Sequence, residues 1–169
     1  MAKINLMKKY PVSDRSALSK KRVWVSEEKR LEAQKFDWLY FDGPREYGYG
    51  GYKYNPRFFT NVVKDFIKHF SLKNGDSLLD VGCGKGFMLH DFLQALPSLK
   101  VRGLDISRYC YDHALTDIKP YFDIGSCDEL PYEDNSFDVV ISIATIHNLD
   151  LEGVKRAMSE IVRVARRGA

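Results

Sequence analysis

Within LLDVGCGKGFM, residues 78–88, one acid and three glycines stand at fixed spacing: Asp80, Gly82, Gly84 and Gly86. The pattern D-x-G-x-G-x-G falls where a short apolar run gives way to a helical period. Glycines at such a junction permit a tight turn and bring a ligand close to backbone amides at a helix N-terminus. Three ligand classes use turns of this kind. A triphosphate loop needs G-x-x-x-x-G-K-[ST], and no placement of these residues supplies it. A dinucleotide fingerprint needs G-x-G-x-x-G, and counted from Gly82 its third glycine falls on Phe87. The spacing here is G-x-G-x-G, with an acid two residues before the first glycine. Asp105, which closes the apolar run KVRGLD 19 residues beyond Gly86, can accept hydrogen bonds from both hydroxyls of a ribose. A dinucleotide enzyme would use an acid there too, so Asp105 by itself does not decide between them.

The elements that must position these residues are legible around them. SLLDVG (77–82), KVRGLDIS (100–107), YFDIGS (121–126) and SFDVVISIAT (136–145) read as strands, and the last is apolar throughout, as in a strand buried on both faces of a parallel sheet. FMLHDFLQAL (87–96), RYCYDHAL and LEGVKRAMSEIVRVARR (151–167) read as the helices between and after them. Strands alternating with helices predict an open α/β sheet. Upstream, SEEKRLEAQKFDWLY (26–40) opens on Ser26 with acids behind it, a helix start. NPRFFTNVVKDFIKHF (55–70) has Asn55 to cap it and one apolar face.

Four stretches, LLDVGCGKG, GLDIS, GSCDELPYEDNSFDVVIS and SEIVRVARRG, together resemble the successive motifs of class I S-adenosylmethionine-dependent methyltransferases, of the methyltransferase-11-like, small-molecule branch. The match runs from about residue 76 to 169 and keeps order and spacing. The resemblance implies a Rossmann-like, doubly wound parallel sheet of strand order 3-2-1-4, with helices on both faces. It implies that Gly82, Cys83, Gly84 and Gly86 bend around the methionine and ribose portion of S-adenosyl-L-methionine. Asp80 would orient the loop and meet the methionine amine, Asp105 would hold the ribose hydroxyls, and Ile106 would pack on the adenine. The family's Gly-Asp-Ala is replaced here by Gly125, Ser126 and Cys127, with Asp128 following. The Cys127 amide can meet adenine, while Ser126 and Asp128 both remain candidates for its exocyclic amine. Ala144 completes the cofactor set. Beyond the fourth strand, enzymes that methylate exocyclic amines carry Asn/Asp-Pro-Pro-aromatic. Here Ala144-Thr145-Ile146-His147 stands instead, which favours other acceptors and makes His147 the candidate general base. Lys85 is expected to be solvated, because this cofactor has no phosphate, and Cys83 to be a small turn residue rather than a nucleophile.

FDGPREYGYGGYKYNP, residues 41–56, mixes tyrosine, glycine and cations with no strand before it. It is expected to be a lid inside a helical cap spanning 26–72, with Tyr49, Tyr52 and Arg45 as substrate or lid contacts. Residues 1–25 are expected to form a basic, partly disordered arm, and 73–169 the cofactor-binding core. The family fold has seven strands and four are visible, so the core is expected to be incomplete at its C-terminus, with the fourth strand left as an exposed edge.

In its 169 residues the chain carries a net charge of only +3, too little to point to nucleic acid by itself. No run approaches the roughly 18 apolar residues of a membrane span. Cys83, Cys110 and Cys127 suggest neither a disulfide framework nor a metal site. A cytoplasmic location is expected. The preferred function is methyl transfer from S-adenosyl-L-methionine to a small-molecule acceptor. The alternatives are RNA modification through the basic arm, and a non-catalytic cofactor-binding or partner-docking fragment.

Overall fold

The computed structural model describes residues 4–11 and 26–169. Five parallel strands form one sheet: β1 (Ser77–Val81), β2 (Lys100–Asp105), β3 (Phe122–Ile124), β4 (Phe137–Ile141) and β5 (Ala165–Gly168), in spatial order 3-2-1-4-5. Register pairs Asp80 with Gly103 on one side of β1 and with Ile141 on the other. Successive side chains of a strand point to opposite faces, so each strand feeds two cores. Leu78 and Val139 belong to one apolar cluster; Leu79 and Val140 belong to the other, and all four are fully buried. That double burial is why β1 and β4 read as continuous apolar runs.

The first face is covered by α3 (Pro56–Phe70), α4 (Phe87–Ala95) and α5 (Arg108–Asp112). Val62, Val63 and Phe66 of α3 meet Met88, Leu89 and Phe92 of α4 in the same cluster. α3 starts as its sequence directs, with the Asn55 side chain accepting from the Arg57 amide and Pro56 in the first turn. The second face is covered by α6 (Leu151–Val164), capped by Asp150 on the Gly153 amide and buried through Ala157 and Val164. The strand order reverses between β2 and β4, on either side of β1. A crevice opens there at the carboxyl ends of the strands.

Three expectations change. The helix expected over 26–40 is two, α1 (Glu27–Ala33) and α2 (Trp38–Phe41). Phe36 takes a left-handed backbone (φ 50°), and the Asp37 side chain accepts from the Leu39 amide and starts a new helix. The last helix stops at Val164, and Ala165–Gly168 continue as β5, pairing Phe137 with Ala165 and Val139 with Gly168. β4 is therefore an inner strand and not the edge. Arg167 helps hold β5, pairing with Asp76 at 2.8 Å. Finally, of the basic arm, residues 4–11 lie against the fold: Lys9 pairs with Asp65 of α3 at 2.7 Å, and Met7 and Tyr10 pack on the first cluster. The remainder of the arm lies outside the described residues.

Phe92 is fully buried, with its ring edge-on to Phe66 at 6.4 Å. Phe92→Ala should lower unfolding stability by about 3–5 kcal/mol in urea titration, as expected for a large cavity between α4, α3 and the sheet.

Candidate functional site

A cavity of about 390 Å³ fills the crevice at the carboxyl ends of β1, β2 and β4. That is within the roughly 300–1,000 Å³ of small-ligand pockets. One wall is the turn after β1. Gly82, Gly84 and Gly86 all adopt positive φ (81°, 56° and 78°). Two of them are also sterically required. A Cβ on Gly82 would lie 1.9 Å from Thr145 Oγ1, and one on Gly86 would lie 2.4 Å from a methyl of Ile118. The turn is tied to β2 by the Gly82 and Cys83 amides, both donating to the Leu104 carbonyl at 2.7 and 3.1 Å.

Asp105 holds the turn in place. Its Oδ2 accepts from the Gly84 amide at 2.8 Å and its Oδ1 from the Ser107 amide at 2.9 Å. Burial raises its carboxyl above the ordinary range, and those two amides partly offset the rise. Asp80 is buried and lines the cavity, and no described residue hydrogen-bonds its carboxylate. Burial, with the charge of Asp105 added, pushes the Asp80 carboxyl up to about 7. Two acids thus face one cavity, and among the described residues lining it there is no lysine, arginine or histidine. The arrangement suits a ligand that brings its own positive charge.

The opposite wall is aromatic. Residues 43–54 fold over the glycine turn. The Tyr49 amide donates to the Tyr40 carbonyl at 2.8 Å, the Gly51 amide to the Phe41 carbonyl at 3.0 Å, and the Tyr52 amide to Asp42 at 2.7 Å. Tyr52 packs 4.6 Å from Tyr49 and 4.7 Å from Phe87, and its ring abuts Gly84. Lys85 is the residue on which the expectation fails outright. It is buried, not solvated. Its ammonium pairs with Asp42 at 2.5 Å and donates to the Tyr52 carbonyl at 3.0 Å, beside the ring of Tyr109. Burial would raise the Asp42 carboxyl, but Lys85, the Tyr109 hydroxyl and the Tyr52 amide outweigh it and hold it at about 2. An ion pair therefore fastens the cap to the glycine turn from inside.

The cavity collects Asp80, Gly82, Cys83, Gly84, Asp105, Ile106, Ser126, Cys127, Ala144, Tyr49 and Tyr52. Ile106 is 58% exposed, an apolar side chain offered to the open space. Gly86 shapes the turn from behind without lining the cavity. The Ser126 and Asp128 alternatives separate: the Ser126 hydroxyl lines the cavity and donates to Asp128, whose other oxygen pairs with Arg156 of α6 at 2.7 Å. Asp128 therefore positions Ser126 and does not face the cavity. His147 is not brought in. It is exposed in the 3-10 turn Ile146–Asn148, where Ile146 packs on the second core cluster and Asn148 takes the cavity side, leaving His147 outward. Arg45 lies on the outer side of the cap, donating to the Tyr49 carbonyl. The Cys83 thiol is buried and pushed well above its ordinary pKa, which suits a packing role. Sequence reasoning missed Thr145, Asn148, Tyr40, Phe41 and the N-terminal Met7 and Tyr10, all of which line the cavity. For the cap residues, the density of aromatics between 36 and 59 was the available signal.

Comparison with known proteins agrees with this geometry. A family model described as a methyltransferase domain matches residues 79–169. The demethylmenaquinone methyltransferase of Symbiobacterium thermophilum is 34% identical over 113 residues, which cover 62% of this chain and 44% of that protein. A tRNA (carboxymethyluridine(34)-5-O)-methyltransferase of Arabidopsis thaliana is 35% identical over 58% of this chain and 23% of its own length. Among solved structures, a SAM-dependent methyltransferase from Aquifex aeolicus superposes with a TM-score of 0.51 at 25% identity, covering 62% of this chain and 58% of that one. The chain spans less than half the length of the two curated relatives. S-adenosylmethionine is the cofactor these matches imply, and the residues present fit it: a bent glycine turn, a carboxylate at the tip of β2, and an unpartnered Asp80 suited to an ammonium. With the family model covering more than half of its residues, the chain belongs to the methyltransferase domain family of S-adenosylmethionine-dependent enzymes.

Proposed function

We propose that the protein transfers the methyl group of S-adenosylmethionine to an apolar small molecule held between the glycine turn and the tyrosine-rich cap. The observation that carries this reading is the aromatic wall of Phe36, Tyr40, Phe41, Tyr49, Tyr52 and Phe59 facing Asp80 and the glycine turn across one cavity. When bound, the cofactor supplies an electrophilic methyl on a sulfonium. The chain's own residues then have three tasks. Asp80 would hold the cofactor's ammonium end and Asp105 its ribose end. The aromatic wall excludes water and presents a flat face to the acceptor. The Asn148 amide can orient an acceptor hydroxyl or carbonyl. Removing the acceptor's proton falls to solvent or, after a rearrangement of its turn, to His147.

RNA modification is the second reading, and the relative named for a tRNA favours it. Against it, the described residues lining the cavity include no cationic side chain to neutralise a phosphate backbone. The non-catalytic alternative predicts cofactor binding without turnover. A reducing, cytoplasmic setting is supported by three cysteines that are all free and buried. Among the described residues no helix is long and apolar enough to cross a membrane.

Three outcomes test the reading. Calorimetry should show S-adenosylhomocysteine binding and no comparable binding of NAD. Asp105→Ala should weaken that binding by about 1.5–3 kcal/mol per charged hydrogen bond lost, and further as the Gly84 amide loses its anchor. NAD binding without S-adenosylhomocysteine binding would overturn the assignment. The second outcome concerns pH. With its folded carboxyl near 7 instead of 3.8, Asp80 stabilises the free fold most at low pH, and that contribution is lost as pH rises toward 7. The cofactor's ammonium prefers the ionised acid, so affinity should run the other way. It should increase with pH from 5.5 to 8, by at most about tenfold per unit below 7, and the slope should flatten in Asp80→Asn. The third is hydrogen exchange across residues 43–54. Protection should rise when S-adenosylhomocysteine is added, and Tyr52→Ala should abolish the increase. Full protection in the free protein with no ligand response would make the cap a fixed wall.

A further inference from the structure

On the outer side of the tyrosine wall lies a second groove, of about 700 Å³. The two spaces share four side chains, Tyr10, Tyr49, Tyr52 and Phe59, so one layer of rings separates them. Their charges are opposite. Among the described residues, the cavity lining holds two carboxylates and no cation, whereas the groove lining holds Arg45, Lys53 and Arg57 and no acid. The groove also receives the N-terminal end of the 15-residue α3, whose cap Asn55 and second residue Arg57 both line it. A helix start adds positive potential to that of the side chains. The Arg57 guanidinium sits 4.7 Å from the Phe58 ring centre, which orients it along the aromatic surface. Arg45 is engaged with the Tyr49 carbonyl and braces the wall itself. Lys53 and Arg57 are exposed cations flanking the opening.

We propose that this groove receives the anionic end of the methyl acceptor, so that the acceptor is amphipathic: a flat apolar body against the tyrosine wall and a carboxylate, sulfonate or phosphate at its far end. The proposal rests on the methyltransferase reading above and narrows its substrate class. A purely neutral acceptor would leave Lys53 and Arg57 with nothing to recognise. An acceptor with its anion at the methylated end would bring that charge against Asp80 and Asp105. Gly50 and Gly51, both at positive φ (68° and 111°), lie next to Tyr49 and Tyr52 and allow the wall to part around a ligand that reaches from one space to the other.

A matched pair of dyes tests this on the intact protein. 8-Anilinonaphthalene-1-sulfonate and N-phenyl-1-naphthylamine share an aromatic body, and only the first carries an anion. The wild-type protein should bind the sulfonate more tightly. Lys53→Gln/Arg57→Gln should weaken the sulfonate by about three- to tenfold, the range for two partly exposed charges, and leave the neutral dye unchanged. The preference should shrink as salt is raised. Equal weakening of both dyes, or no change in either, would overturn the proposal. Inorganic phosphate forms a second arm. It should compete only weakly, because the ring wall contributes nothing to a bare anion. Strong displacement of the sulfonate by phosphate would assign the groove to a free anion and also overturn it. S-adenosylhomocysteine binding is measured on the same samples: its absence would remove the methyltransferase reading, while the dye comparison would still judge the groove.

Discussion

Two carboxylates at one end of a parallel sheet set the terms for the rest of this site. Asp80 and Asp105 sit at the tips of adjacent strands because β1 and β2 run parallel in a register that brings both ends to the same crevice. Like charges in a shared low-dielectric space cannot both be ionised without compensation. Asp105 obtains its compensation from the chain, as two backbone amides. Aiming the Gly84 amide at it requires the turn after β1 to pass through left-handed backbone, and this is what the glycines are for. Asp80 has no such support. The fold holds that cost in readiness, and a cationic ligand relieves it.

The cap answers the same electrostatic problem in a different way. Lys85 lies within the glycine turn, five residues beyond Asp80 in sequence, yet its ammonium turns away from the cavity to Asp42. A buried charge needs a partner, and a pair with well-placed additional hydrogen bonds offsets much of its desolvation. Asp42 has those bonds, from the Tyr52 amide and the Tyr109 hydroxyl. The pair makes the conformation of the cap depend on that of the glycine turn. Whatever displaces the turn is felt at Tyr52, and the reverse holds as well.

How much of this could be read beforehand follows from where each signal lies. β1, β2 and β4 were legible because strands buried on two faces must be apolar throughout, and glycine spacing marks a bent turn; their order came with the family resemblance. Asp105 followed from its position at a strand tip, and Ile106 from the family resemblance. Lys85 was misread because its partner is 43 residues upstream, in a segment with no periodicity to fix its place. β5 was read as helix because Ala165 and its neighbours continue the helical period, and only pairing with β4 overrides it. The outward turn of His147 and inward turn of Asn148 depend on a single 3-10 turn, and sequence cannot assign sides within three residues. Met7 and Tyr10 reach the site from a segment whose composition suggested only a solvated arm. Local composition carries no information about a surface contributed by the rest of the fold.

The three cysteines follow from the same packing. Cys83 lies beneath the capped turn, with its sulfur 2.7 Å from where a Cβ on Gly103 would stand, while Cys110 is fully buried within α5 and Cys127 borders the cavity. Burial raises all three thiols, so few thiolates exist in the closed molecule. A thiol-specific reagent therefore meets almost nothing reactive in this conformation. Under the proposed lid motion, the rate at which Cys83 is alkylated would become a clock for the opening of the site, read from the protein's own atoms with no label attached.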